Sequence, residues 1–79
     1  MEKQWELTQD GENYTVKVFY TLFSGKMSVT LNGETYDLPN KFLAGIFGRK
    51  ENFILGDKLA SIRLVPFGGI ELTTAAGKF

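Results

Sequence analysis

The side chains that usually carry chemistry are scarce in this chain, and those present are badly spaced for it. There is no histidine and no cysteine among its 79 residues, so His-based triads, cysteine nucleophiles and His- or Cys-ligated zinc have no residues to work with. Carboxylates remain. Glu34 and Asp37 lie three apart in a short alternating run. In an extended strand that spacing puts them on opposite faces, where they can share neither a proton nor a metal. Asp10-Gly11-Glu12 offers oxygen ligands but lacks the alternating series of a dedicated calcium loop, and it reads as a plain turn.

Anion recognition fares little better. Lys41, Arg49, Lys50 and Lys58 form the main basic concentration, and a solvated loop face accounts for them more simply than an anionic site. Gly45-Ile46-Phe47-Gly48 has the outline of the Gly-x-x-Gly loop of KH modules, but its centre is apolar and no helical pattern flanks it. No Gly-x-x-x-x-Gly-Lys-Ser/Thr phosphate cradle is present. Nine basic side chains balance nine acidic ones, which leaves no footprint for nucleic acid. The expectation is a non-enzymatic chain with no cofactor, no metal and no nucleic-acid partner. Asn13-Tyr14-Thr15 is a formal glycosylation sequon, idle unless the chain is secreted.

The neutral total hides an asymmetry. Residues 1–40 carry three basic and six acidic side chains, and residues 41–79 carry six and three. Such a dipole favours head-to-tail association. The simpler expectation is that strands from both halves interleave and the asymmetry vanishes. No run approaches the ~20 apolar residues of a membrane span, and Met1–Glu6 has no apolar signal core. A soluble, cytoplasmic protein away from membranes is expected.

The elements that must position these groups follow a period of two. Trp5 and Leu7 mark a first strand, and Asp10-Gly11 a tight turn. The run from Asn13 to Phe23 is the strongest strand signal. Ser24-Gly25-Lys26 leads into Met27–Leu31, and Asn32-Gly33 signals a two-residue hairpin into Glu34–Leu38, which Pro39 ends. Phe42–Gly48 is charge-free and breaks the pattern; a short strand, a helical turn and a buried plug all fit it, though its two glycines disfavour helix. Alternation resumes at Asn52–Leu55. A Gly56-Asp57 turn, a strand over Leu59–Val65 with Ala60, Ile62 and Leu64 inward, a Pro66–Gly69 turn and a last strand over Ile70–Thr74 follow. Seven or eight short strands predict an all-β fold, a small antiparallel β-sandwich or flattened barrel, as one domain over residues 1–79. With 43% hydrophobic residues and seven phenylalanines, its core is filled by apolar packing alone.

One strand is two-faced. Val18, Tyr20 and Leu22 alternate with Phe19, Thr21 and Phe23, so large apolar groups point both ways where one wet face should read polar. Either a bulge or the Phe42–Phe47 segment buries both faces, or Phe19 and Phe23 form an exposed patch that docks a partner or another copy. Phe19, Phe23, Phe47, Arg49 and Lys50 are accordingly the candidate interaction surface, for another protein or for a homo-oligomer, bound through an apolar sheet face or by strand addition at a sheet edge. Trp5, Tyr14, Tyr20 and Tyr36 motivate an alternative, a small-ligand or carbohydrate-binding sandwich that stacks exposed rings on its ligand. For Trp5 an inward core position is the simpler expectation.

Taken in order, these features resemble the repeat domain of the Fas apoptotic inhibitory molecule (FAIM) family. The shared pattern is a Trp-led strand and Asp-Gly turn (Trp5 to Gly11), a long strand ending in Ser24-Gly25-Lys26, a small turn at Gly33 and an aromatic segment from Phe42 to Phe47. The most specific piece is Gly48-Arg49-Lys50-Glu51-Asn52-Phe53-Ile54-Leu55-Gly56, similar to the family's Gly-Lys-Glu-x-Phe-x-x-Gly run. The resemblance ends near Val65, where this chain has a shorter closing hairpin; it has one such unit where animal members have two. It implies a non-enzymatic, intracellular β-sandwich whose relatives are associated with protection against death-receptor signalling and protein aggregation. No motif carries those activities over residue by residue.

Overall fold

Eight β-strands make up the regular structure in a computed structural model that describes residues 1–21, 24–39, 48–66 and 68–79. They are β1 (Glu2–Gln9), β2 (Glu12–Tyr20), β3 (Met27–Leu31), β4 (Glu34–Leu38), β5 (Arg49–Leu55), β6 (Lys58–Leu64), β7 (Ile70–Thr74) and β8 (Gly77–Lys78). Two four-stranded antiparallel sheets result, ordered β1-β2-β3-β4 and β5-β6-β7-β8, so the fold is all-β as expected. The chain divides into two compact units, Met1–Leu43 and Ala44–Phe79. Among the described residues no helix is long and apolar enough to cross a membrane.

The first unit is a meander whose turns are written in the sequence. Asp10 and Gly11 sit at φ 53° and 77°, and Asn32 and Gly33 at 47° and 88°. Both pairs have the double positive φ of the two-residue turn whose twist matches antiparallel strands. Asn32 adds a lock: its Oδ1 accepts from the Thr15 N–H at 2.8 Å, and its own N–H donates to the Thr15 carbonyl at 3.0 Å. Period two then sorts the faces. Trp5, Leu7, Val16, Val18, Tyr20, Met27 and Val29 are buried on one side. Register pairs Trp5 with Val16 and Val18 with Val29, so like meets like across the ladder. Strand β2 stops at Tyr20, short of the expected Phe23. The ladder closes there because the Thr21 N–H donates to the Lys26 carbonyl at 2.8 Å and the Gly25 N–H to the Thr21 carbonyl at 2.9 Å.

The second unit repeats the plan. Ala60, Ile62 and Leu64 of β6 are buried as the alternation predicts, joined by Leu55, Ile70 and Leu72. Strand β5 begins at Arg49, three residues before the expected Asn52. Strand β8 was not expected; Gly77 pairs with Thr74 and Lys78 with Thr73. The Phe79 N–H continues the ladder by donating to the Leu72 carbonyl at 2.7 Å. The Phe42–Gly48 expectations fall on residues that, up to Phe47, lie outside the described ones.

Each sheet is built from consecutive strands, which overturns the expected interleaving of the two halves. The first sheet, residues 2–38, carries three basic and six acidic side chains, a balance of −3. The second, residues 49–78, carries five basic and three acidic, a balance of +2. The charge asymmetry of the sequence is therefore a property of the two sheets.

Candidate interaction surfaces

Phe19 is where the two-faced strand resolves. Its neighbours Val18 and Tyr20 are buried, whereas Phe19 itself is 40% exposed on the opposite side of β2. It stands between Glu2 of β1 and Ser28 of β3, with Asp37 of β4 opposite Ser28 in the same row. Of the two readings of this strand, burial on both faces does not hold at Phe19. Along the same outer face, Lys17 Nζ lies 3.4 Å from Glu2 Oε1. Glu6 is in the row of Thr15, four residues along the strand from Glu2.

Lys50 is exposed on the outer face of β5 and opposite Arg63 of β6. Arg49 requires a correction. Adjacent residues of a strand point to opposite sides, so Arg49 and Lys50 do not share a surface. The Arg49 side chain is fully buried, and its Nε donates to Glu51 Oε1 at 2.7 Å. A buried guanidinium is tolerated only with such partners, which makes Arg49 a piece of the interior. Phe23 and Phe47 lie outside the described residues.

Sequence reasoning missed the most exposed apolar pair among the described residues. Ile54 and Leu59 face each other across the β5–β6 hairpin and are 59% and 64% exposed. Parity gave the signal: with Ala60 inward, Leu59 must point out, and the two-residue turn places Ile54 beside it. At the other end of this outer face, Lys50, Arg63, Glu71 and Lys78 border a shallow concavity. There Lys78 Nζ reaches Glu71 Oε1 at 3.5 Å.

Two of the four rings invoked for carbohydrate stacking face the interior, and Tyr14 is half-buried. Trp5 and Tyr20 are buried. The Lys3 ammonium lies 5.3 Å from the Trp5 ring centroid, in reach of a cation–π contact. Tyr36 alone of the four is exposed. It is on edge strand β4, opposite buried Val29, and its hydroxyl donates to Glu34 Oε2 at 2.8 Å. That hydrogen bond and the charge of Glu34 push the phenol above its ordinary value. Among the described residues, no group of three or more carboxylates is placed to hold a metal ion.

No protein-family model, no curated protein and no solved structure matches this chain.

Proposed function

We propose that this chain is a non-enzymatic protein-interaction domain that binds through an apolar sheet face. The observation that carries the reading is the placement of Phe19, Ile54 and Leu59 on the outward sides of strands whose inward sides are already buried. Large apolar groups left there lower the free energy of any contact that covers them, by about 25 cal/mol for each Å² removed from water. The resemblance to the FAIM family points the same way, since its members are not enzymes. Ring stacking on a carbohydrate is disfavoured by the burial of Trp5 and Tyr20.

The test compares the wild-type chain with a Phe19→Thr, Ile54→Thr, Leu59→Thr variant in quantitative pull-down. Threonine keeps strand propensity while removing the apolar surface. Equal melting temperatures with loss of the retained protein support the reading. Unchanged capture by the variant sinks it.

A further inference from the structure

The two outer faces are opposite in charge and share one spacing between an apolar group and a charged one, and from this we infer that the occupant of one is the other, on a second copy of this chain. The inference rests on the interaction reading above and names its partner.

On the outer face of the first sheet the charged groups are Glu2, Glu6, Lys17 and Asp37. Lys17 is paired with Glu2, so the net −2 resides in Glu6 and Asp37. On the outer face of the second sheet they are Lys50, Arg63, Glu71 and Lys78. Glu71 is paired with Lys78, so the net +2 resides in Lys50 and Arg63. Each face also carries its own apolar group, Phe19 on the acidic side and the Ile54–Leu59 pair on the basic side.

The spacing agrees. Glu6 lies in the row of Thr15, four residues from Phe19 along β2. Lys50 and Arg63 lie in one row, four residues from that of Ile54 and Leu59. At about 3.3 Å per residue, both separations are roughly 13 Å. Phe19 laid on Ile54 and Leu59 therefore brings Glu6 over Lys50 and Arg63, while Asp37, in the row of Phe19, borders the apolar contact. An acidic face on a basic one gives a heterologous contact that leaves one copy with its basic face unused and the other with its acidic face unused, so assembly continues, into a ring where the rotation closes and an open filament where it does not. Four strands about 4.8 Å apart and roughly 20 Å long make a face of roughly 400 Å², smaller than the ~800 Å² per partner of a stable complex. The association is thus weak, concentration-dependent and sensitive to salt.

Sedimentation at low ionic strength tests this with two charge-reversed variants, Glu6→Lys/Asp37→Lys and Lys50→Glu/Arg63→Glu. The wild type is expected to gain mass between ~10 µM and ~1 mM, the range of weak contacts. Each variant alone presents like charges on both faces and should lose at least roughly tenfold in apparent affinity. Mixed one to one, they should associate again, because the reversed first-sheet face of one variant meets the reversed second-sheet face of the other, and their unaltered faces still form the wild-type contact. Recovery in the mixture also shows that both variants are folded. A wild type that stays monomeric at ~1 mM overturns the proposal; so does a mixture no larger than its components. If the chain is monomeric yet captures another protein through Phe19, Ile54 and Leu59, self-assembly fails and the interaction reading survives. Loss of both disposes of both.

Discussion

Ile54 and Leu59 stand directly opposite one another on the outer face of the β5–β6 hairpin, each more than half exposed. Their neighbours Leu55 and Ala60 are buried. One residue of sequence therefore separates interior from exterior on both strands, and substitutions on either side should behave in opposite ways.

Ile54→Thr with Leu59→Thr should change stability by less than about 1 kcal/mol, as surface substitutions with preserved strand propensity do. Ile62→Ala, at a fully buried position, should cost roughly 2–5 kcal/mol. For a domain of this size that is a large part of the total, at ~0.05–0.15 kcal/mol per residue. Urea denaturation of the two variants side by side measures the contrast; similar midpoints would contradict the assigned faces.

Gly33→Ala and Gly48→Ala separate two kinds of glycine. Both residues have positive φ, 88° and 86°. A Cβ on Gly33 meets nothing within 4 Å, whereas one on Gly48 would lie 3.1 Å from Pro66 Cγ. Gly33→Ala should cost the left-handed backbone penalty alone, about 1–2 kcal/mol. Gly48→Ala should cost more, because Pro66 must also shift. Thermal melts that reverse this order would count against the local geometry.

Glu51→Ala should be more damaging than Arg49→Met. Removing the carboxylate takes a partner from a fully buried guanidinium, a loss of roughly 3–5 kcal/mol where a buried pair is broken. Methionine fills similar space and needs no partner. Denaturation midpoints of the two variants decide it, and a milder effect for Glu51→Ala would be the contrary result.

Tyr36 supplies the pH-dependent probe. Its hydrogen bond to Glu34 and the negative charge there raise its pKa. With the folded value above the unfolded one, the stabilisation is fully present below the unfolded pKa and disappears as pH rises through the folded pKa. Ultraviolet absorbance titration should show Tyr36 ionising at higher pH in the wild type than in Glu34→Gln. An unchanged titration in that variant would mean that Glu34 does not set it.

Turns and inward faces were the legible part of this fold. Asn32-Gly33 and the Met27–Leu31 and Glu34–Leu38 strands came out as the alternation and turn chemistry predict, because those signals are local. The start of β5 was not legible: Arg49, Lys50 and Glu51 look like a charged loop, and it is their pairing with Leu64, Arg63 and Ile62 of β6 that makes strand of them. Strand β8 was invisible for a similar reason, since a two-residue strand has no period. On the surface, Phe19 stood out as an apolar residue on a polar face. Ile54 and Leu59 did not, because each sits beside another apolar residue and parity alone tells them apart. The division of strands between sheets depends on pairing partners, which alternation does not specify.

That division bears on how the chain comes into being. Every strand pairs with its immediate predecessor or successor, so no pairing waits for a distant segment, and local pairing is what makes β-rich topologies quick to form. During synthesis the N-terminal portion emerges first. All pairing partners of the acidic meander are therefore available once β4 has emerged, before the basic meander is complete, and Phe19 leaves the ribosome ahead of Ile54 and Leu59.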